Sequence, residues 1–151
     1  MVVKLASGHP LVQHKISRLR EAKTLPEEFR RLTKELSLLL GVEATQDLST
    51  EEFEVTTPLT TCPAHRISRS LALVPILRAG LGMLEGLSDL IPEAEIWHLG
   101  LYRDEESLQP VEYYNKLPPG AATKCAFLLD PMLATGGSAI AAVDVLKNGV
   151  A

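Results

Sequence analysis

The sequence predicts an α/β fold with a mostly parallel sheet. Three observations carry that prediction. Leu71 to Ile76 is an unbroken apolar run of strand length, the pattern of a strand buried on both faces as parallel strands are. Lys124 to Leu129 is a second strand, leading through Asp130 and the pair Gly136-Gly137 into an apolar helix. Around these runs strand, turn and helix alternate, the order that builds a parallel sheet.

The elements follow in turn. Pro10 suits the first turn of a helix, and Val12, Ile16 and Leu19 fall at helical spacing behind it. A second helix begins near Pro26. Phe29, Leu32, Leu36 and Leu39 form its apolar stripe, Glu27 and Arg31 are spaced to pair, and Gly41 suits its stop. Phe53, Val55, Thr57 and Leu59 alternate with polar neighbours, which predicts a half-buried strand. Thr60 to Ser70 reads as a loop. After the strand at Leu71, Arg78-Ala79-Gly80 turns the chain, and Leu81 to Leu90 reads as a short helix. Glu95 to Leu101 is predicted as another strand. Arg103 to Gln109 reads as a charged, mobile stretch, and Val111 to Tyr114 as a strand in an arm or hairpin. Pro118-Pro119-Gly120 is a turn, and Ser138 to Lys147 is the closing helix. No internal repeat or low-complexity segment interrupts the order. A length of 151 residues fits one domain.

Composition narrows the function. The chain is 46% hydrophobic and 23% charged, with a formal net charge of −4. That balance gives no general attraction to nucleic acid or anionic membranes, so neither is an expected partner. No stretch is apolar enough to span a bilayer. Met1 to Pro10 lacks the basic region, apolar core and cleavage site of a signal peptide. Cys62 and Cys125 lie far apart with no metal-ligand spacing. Cys125 reads as a small core residue and Cys62 as a loop residue. A cytoplasmic chain with reduced thiols is the expectation.

The chemistry gathers at strand ends, where ligands of open α/β sheets bind. From Asp130 to Ser138 a carboxylate is followed by two hydroxyls and two glycines, and then by a helix start. Gly136 and Gly137 allow close backbone approach. Successive amides and the positive helix end can hold a phosphate, with Thr135 and Ser138 adding hydroxyl donors. Asp130 repels phosphate; it suits two ribose hydroxyls or a metal-bound water. No lysine follows the glycines, so this is not a Walker loop. Alone, the run also reads as an ordinary glycine turn opening a helix. Arg78 ends a strand with Ala79 and Gly80 behind it, a placement for bidentate phosphate contact or for a plain surface arginine. Arg103, in a charged run, can close over a polyanion. His9, His14, His65 and His98 share no metal-ligand spacing, and Trp97 reads as core. Tyr113 and Tyr114 read as packing residues, with base stacking or an oligomer contact left open.

Together these residues resemble uracil phosphoribosyltransferase, within the type I phosphoribosyltransferase superfamily. Asp130-Pro131-Met132-Leu133-Ala134-Thr135-Gly136-Gly137-Ser138 looks like the uracil-specific form of the superfamily's 5-phosphoribosyl pyrophosphate (PRPP) motif. Pro131 stands where many members carry a second acid. The likeness extends through His9-Pro10-Leu11-Val12, Glu43-Ala44-Thr45, Val74 to Gly82 and Tyr102-Arg103. It implies the type I architecture with N-terminal helices and a β-arm. The implied reaction is uracil plus PRPP giving UMP and pyrophosphate, a step of pyrimidine salvage. Arg78, Arg103 and Asp130 are the implied catalytic residues. Arg78 and Arg103 would bind PRPP at its pyrophosphate, and residues 130–138 would hold the ribose 5-phosphate. Mg²⁺ would ride on the pyrophosphate with no direct protein ligand. The family's members are usually homo-oligomers, and some respond to GTP.

The resemblance also sets an expectation about the chain's end. It stops at Lys147-Asn148-Gly149-Val150-Ala151, where the family's next connection and strand begin. The last strands are expected to be missing, together with a Gly-rich loop that reads the base through backbone groups. No uracil-binding residue is therefore assigned, and marginal stability is expected. The alternative is a non-catalytic PRPP-binding fragment or regulator without a base site. An RNA-binding regulator of the same fold fits poorly with the acidic balance and with Asp130-Pro131 lacking a second acid.

Overall fold

A computed structural model describes residues 8–104, 106, 109–120 and 125–149. Two helices open the chain, α1 (Pro10–Leu19) and α2 (Pro26–Ala44). Strands β1 (Thr50–Thr56) and β2 (Thr61–Ile67) form a separate two-stranded antiparallel hairpin. The main sheet contains β3 (Leu71–Leu77), β4 (Glu95–Ile96), β5 (Leu99–Arg103), β6 (Pro110–Asn115) and β7 (Cys125–Leu129). Helix α3 (Leu81–Leu90) follows β3, and α4 (Gly137–Gly149) follows β7. Strand β3 is central: it pairs in parallel with β7 on one side and with β4 and β5 on the other. Among the described strands of this sheet only β6 runs against its neighbour, pairing antiparallel with β5. The mixed α/β class with a mostly parallel sheet is thus observed.

The two-sided burial of β3 explains its apolar run. Ala72, Val74 and Ile76 join Trp97, Leu99, Leu101 and Ala142 of α4 in one buried cluster. Leu73 points the other way, into a cluster with Leu87 of α3 and Leu129 of β7. Alternate residues of one strand therefore feed two cores, as strand geometry requires. Trp97 is 3% exposed, in the core as predicted.

Several boundaries depart from the sequence reading. Thr60 to Ser70 is not a loop, because β2 fills most of it. Pro63 inside the stretch hides the strand, since proline cannot donate to a ladder. β2 tolerates it because, among the described residues, it pairs on one side only, with β1. The strand expected from Glu95 to Leu101 is split at Trp97 and His98, yet its register against β3 is the same before and after the split. The gap faces Pro75. Trp97 N–H reaches the Leu73 carbonyl at 3.0 Å, so Pro75, two residues on, faces the same neighbour and has no N–H to offer.

Helix α2 runs past Gly41 to Ala44. Gly41 is a contact point and not a stop: a Cβ there would meet Leu90 of α3 at 2.8 Å. Arg31 pairs with Glu35 at 2.9 Å and with Glu28 at 3.9 Å, so the expected partner Glu27 is replaced. Phe29 is 47% exposed and lies at the edge of the predicted stripe. Lys15–Glu35 and Arg18–Glu28, both 2.6 Å, tie α1 to α2. Cys62 and Cys125 are free and half-buried.

Candidate active site

Three strand ends meet at the carboxyl edge of the sheet. β3 ends at Leu77 and is followed by Arg78, which is exposed. The Leu77–Arg78 peptide is cis. β5 ends at Arg103, paired in register with Pro110 of β6. β7 ends at Leu129, paired with Pro75, so Asp130 lies level with Ile76 beside the Arg78 turn. Beyond the Arg103–Pro110 pair, Asp104 N–H donates to the Gln109 carbonyl at 3.0 Å. Residues 105, 107 and 108 of the charged stretch, and Lys124 of the predicted strand, lie outside the described residues.

The loop after β7 is built from short-range bonds. The Asp130 carboxylate accepts the Met132 N–H at 3.3 Å, leaving its second oxygen for other partners. Gly136 adopts φ +79°, where an L side chain is strained. Its N–H donates to the Leu133 carbonyl at 2.7 Å, and its own carbonyl accepts the Ile140 N–H at 2.9 Å to open α4. The first-turn amides that follow have no intrahelical acceptor and point out with the positive end of the helix. Ala134 also has positive φ, +44°, and nothing in its side chain signals that.

Arg103, Met132, Leu133, Ala134, Thr135, Gly137 and Ser138 line one open concavity, with Pro110 as a further wall. Its volume is about 100 Å³, room for a phosphate-sized group. Arg103 and the β7–α4 loop are therefore brought together. Arg78, Asp130, Pro131 and Gly136 do not line it; Arg78 and Asp130 stand at the adjoining strand ends. Pro110 was missed, although hairpin pairing of the two strands was a signal that pointed to it. Met132 and Leu133 are 76% and 66% exposed, an apolar display at a polar site. Among the described residues no three His, Cys, Asp or Glu side chains gather as a metal site. Arg78 has no ion pair among the described residues.

The family model described as uracil phosphoribosyltransferase matches residues 6–151. The chain belongs to the uracil phosphoribosyltransferase family. A uracil phosphoribosyltransferase from Roseiflexus sp. (strain RS-1) is 58% identical over 148 residues, covering 98% of this chain and 71% of the relative. One from Thermus thermophilus is 55% identical over 141 residues, covering 93% of this chain and 68% of the relative. The solved structure of the AQ2163 protein from Aquifex aeolicus superimposes with a TM-score of 0.87 at 37% identity, covering 99% of this chain and 72% of that one. Uracil phosphoribosyltransferases are pentosyltransferases. No described helix is long and apolar enough to cross a membrane.

Proposed function

We propose that this chain transfers the 5-phosphoribosyl group of PRPP to uracil, giving UMP and pyrophosphate, at the carboxyl edge of β3, β5 and β7. The observation that supports the reading is the shared concavity of Arg103 and residues 132–138, in a chain of this family. Residues 130–138 take the ribose 5-phosphate: loop amides and the Thr135 and Ser138 hydroxyls hold the phosphate, and Asp130 takes ribose hydroxyls. Arg78 and Arg103 take the pyrophosphate.

Mechanism follows from charge. Departure of pyrophosphate leaves positive charge on C1′ and the ring oxygen, an oxocarbenium-like state akin to that of glycoside cleavage. Uracil N1 attacks the opposite face as the C1′–oxygen bond to pyrophosphate breaks, inverting the anomeric carbon, and the N1 proton passes to the released pyrophosphate or to water. No covalent nucleophile is needed. The protein holds both partners in line and neutralises the departing charge with Arg78 and Arg103. Mg²⁺ fits this donor set, because it keeps several waters and prefers phosphate oxygens to a protein cage. A bound ion would add positive charge at the pyrophosphate, and Asp130 would hold one of its waters where it does not hold ribose hydroxyls.

The remaining expectations extend the reading. The chain works in the cytoplasm as a homo-oligomer, and GTP acts as an effector. The test is UMP formation by the 151-residue chain from Mg–PRPP and uracil. Measurable UMP supports the enzyme reading. PRPP binding with no UMP assigns the chain to a binding module instead, and neither binding nor turnover removes both.

A further inference from the structure

Two of the three strand ends at the candidate site, those of β3 and β7, carry Arg78 and the Asp130 loop. The two ends come into close approach at Gly80. The Gly80 backbone is helical, with φ −61° and ψ −20°, so glycine is not required there by its dihedrals. Space is the constraint. A Cβ on residue 80 would run into three backbone atoms, the Leu129 carbonyl oxygen and the nitrogen and oxygen of Ile76. Leu129 immediately precedes Asp130, and Ile76 lies two residues before Arg78. Backbone atoms in paired strands cannot swing aside as the tip of a side chain can. Gly80 N–H also donates to the Ile76 carbonyl at 2.8 Å, and the Gly80 carbonyl accepts from Met83 and Leu84 at 3.1 and 3.2 Å. The turn is thereby bound to the start of α3 as well.

We propose that Gly80 is a positioning residue: its missing side chain lets the Arg78 turn rest on the end of β7, so that Arg78 and the Asp130 loop form one rigid unit. The catalytic meaning rests on the PRPP reading above; the contact does not. Carbon–oxygen contacts close at about 3.3–3.6 Å, so a methyl group at residue 80 must drive the turn and the strand end apart by about 1 Å. A shift of about that size in a positioning element can lower a rate about 100-fold.

Gly80→Ala is compared with Gly82→Ala, whose Cβ would meet only a Thr33 methyl at 3.3 Å. Gly80→Ala is expected to lower kcat for UMP formation about 100-fold and to shift the amide resonances of residues 130–138. Gly82→Ala does neither. A merely structural role would lower the melting temperature while leaving kcat per folded molecule and those resonances unchanged, and that outcome overturns the proposal. The resonances are read without substrate. A wild-type chain that forms no UMP therefore counts against the functional reading, and the resonances alone decide the positioning. If Gly80→Ala does not fold, native-state hydrogen exchange of the wild-type chain decides. The Gly80 amide and the β7 amides are expected to open in one step with the same denaturant dependence. Opening of the Gly80 turn while β7 stays closed contradicts the proposal.

Discussion

Arg78 hangs from the end of a strand buried on both faces, while its own side chain is exposed. Removing the guanidinium therefore takes away charge and donors but no packing. Arg78→Ala is expected to lower kcat by about 10²–10³, the cost of about 3–4 kcal/mol for losing one preorganised donor, with an unchanged melting temperature. Asp130→Asn keeps the shape and the acceptor for Met132 N–H and loses the charge, and the same drop is expected. Steady-state kinetics beside thermal denaturation checks both. The chemical type of each residue was legible in the sequence, because a charged group placed after an apolar strand has few roles. Ala134 was not: a left-handed alanine leaves no mark in composition or spacing. Gly80 was read as the end of a turn, whereas the structure gives it helical dihedrals and a Cα with no room for a side chain.

Elements were legible where burial writes its own pattern. β3, α3 and α4 follow from apolar runs and from glycines at their ends. β2 and the gap between β4 and β5 did not follow, and both hinge on proline. Pro63 conceals a strand that needs only one partner, and Pro75 interrupts a ladder from inside a strand that the sequence reads as perfect. The helical layer carries a pH-dependent tie. Hydrogen bonding from Lys15, the largest cause, and from Arg31 holds the Glu35 carboxyl below the usual range, against the opposing effect of burial. A lowered acid stabilises the fold above its unfolded pKa, about 4.3, and that contribution is lost as pH falls through the lowered folded value. Glu35→Gln is thus expected to reduce stability by roughly 0.5–1 kcal/mol near neutral pH. The gap to wild type should close in acid, below about pH 4. Denaturant titrations at both pH values measure it.

The whole molecule joins a helical layer, a hairpin that stands apart, and a sheet whose carboxyl edge collects Arg78, Arg103 and the Asp130 loop. It spans 71% and 68% of the Roseiflexus and Thermus relatives' lengths. Sequence spacing points to a phosphate site because phosphate chemistry needs amides, hydroxyls and arginines in a recognisable order. How three distant segments converge was set by strand order and register, which only the fold supplies. Calorimetric titration with Mg–PRPP tests the account's central claim most directly. The wild-type chain is expected to bind saturably. Arg78→Ala and Asp130→Asn are each expected to weaken binding at least tenfold, about 1.4 kcal/mol. Absence of saturable binding, or equal affinity in all three proteins, would contradict a PRPP site at this edge.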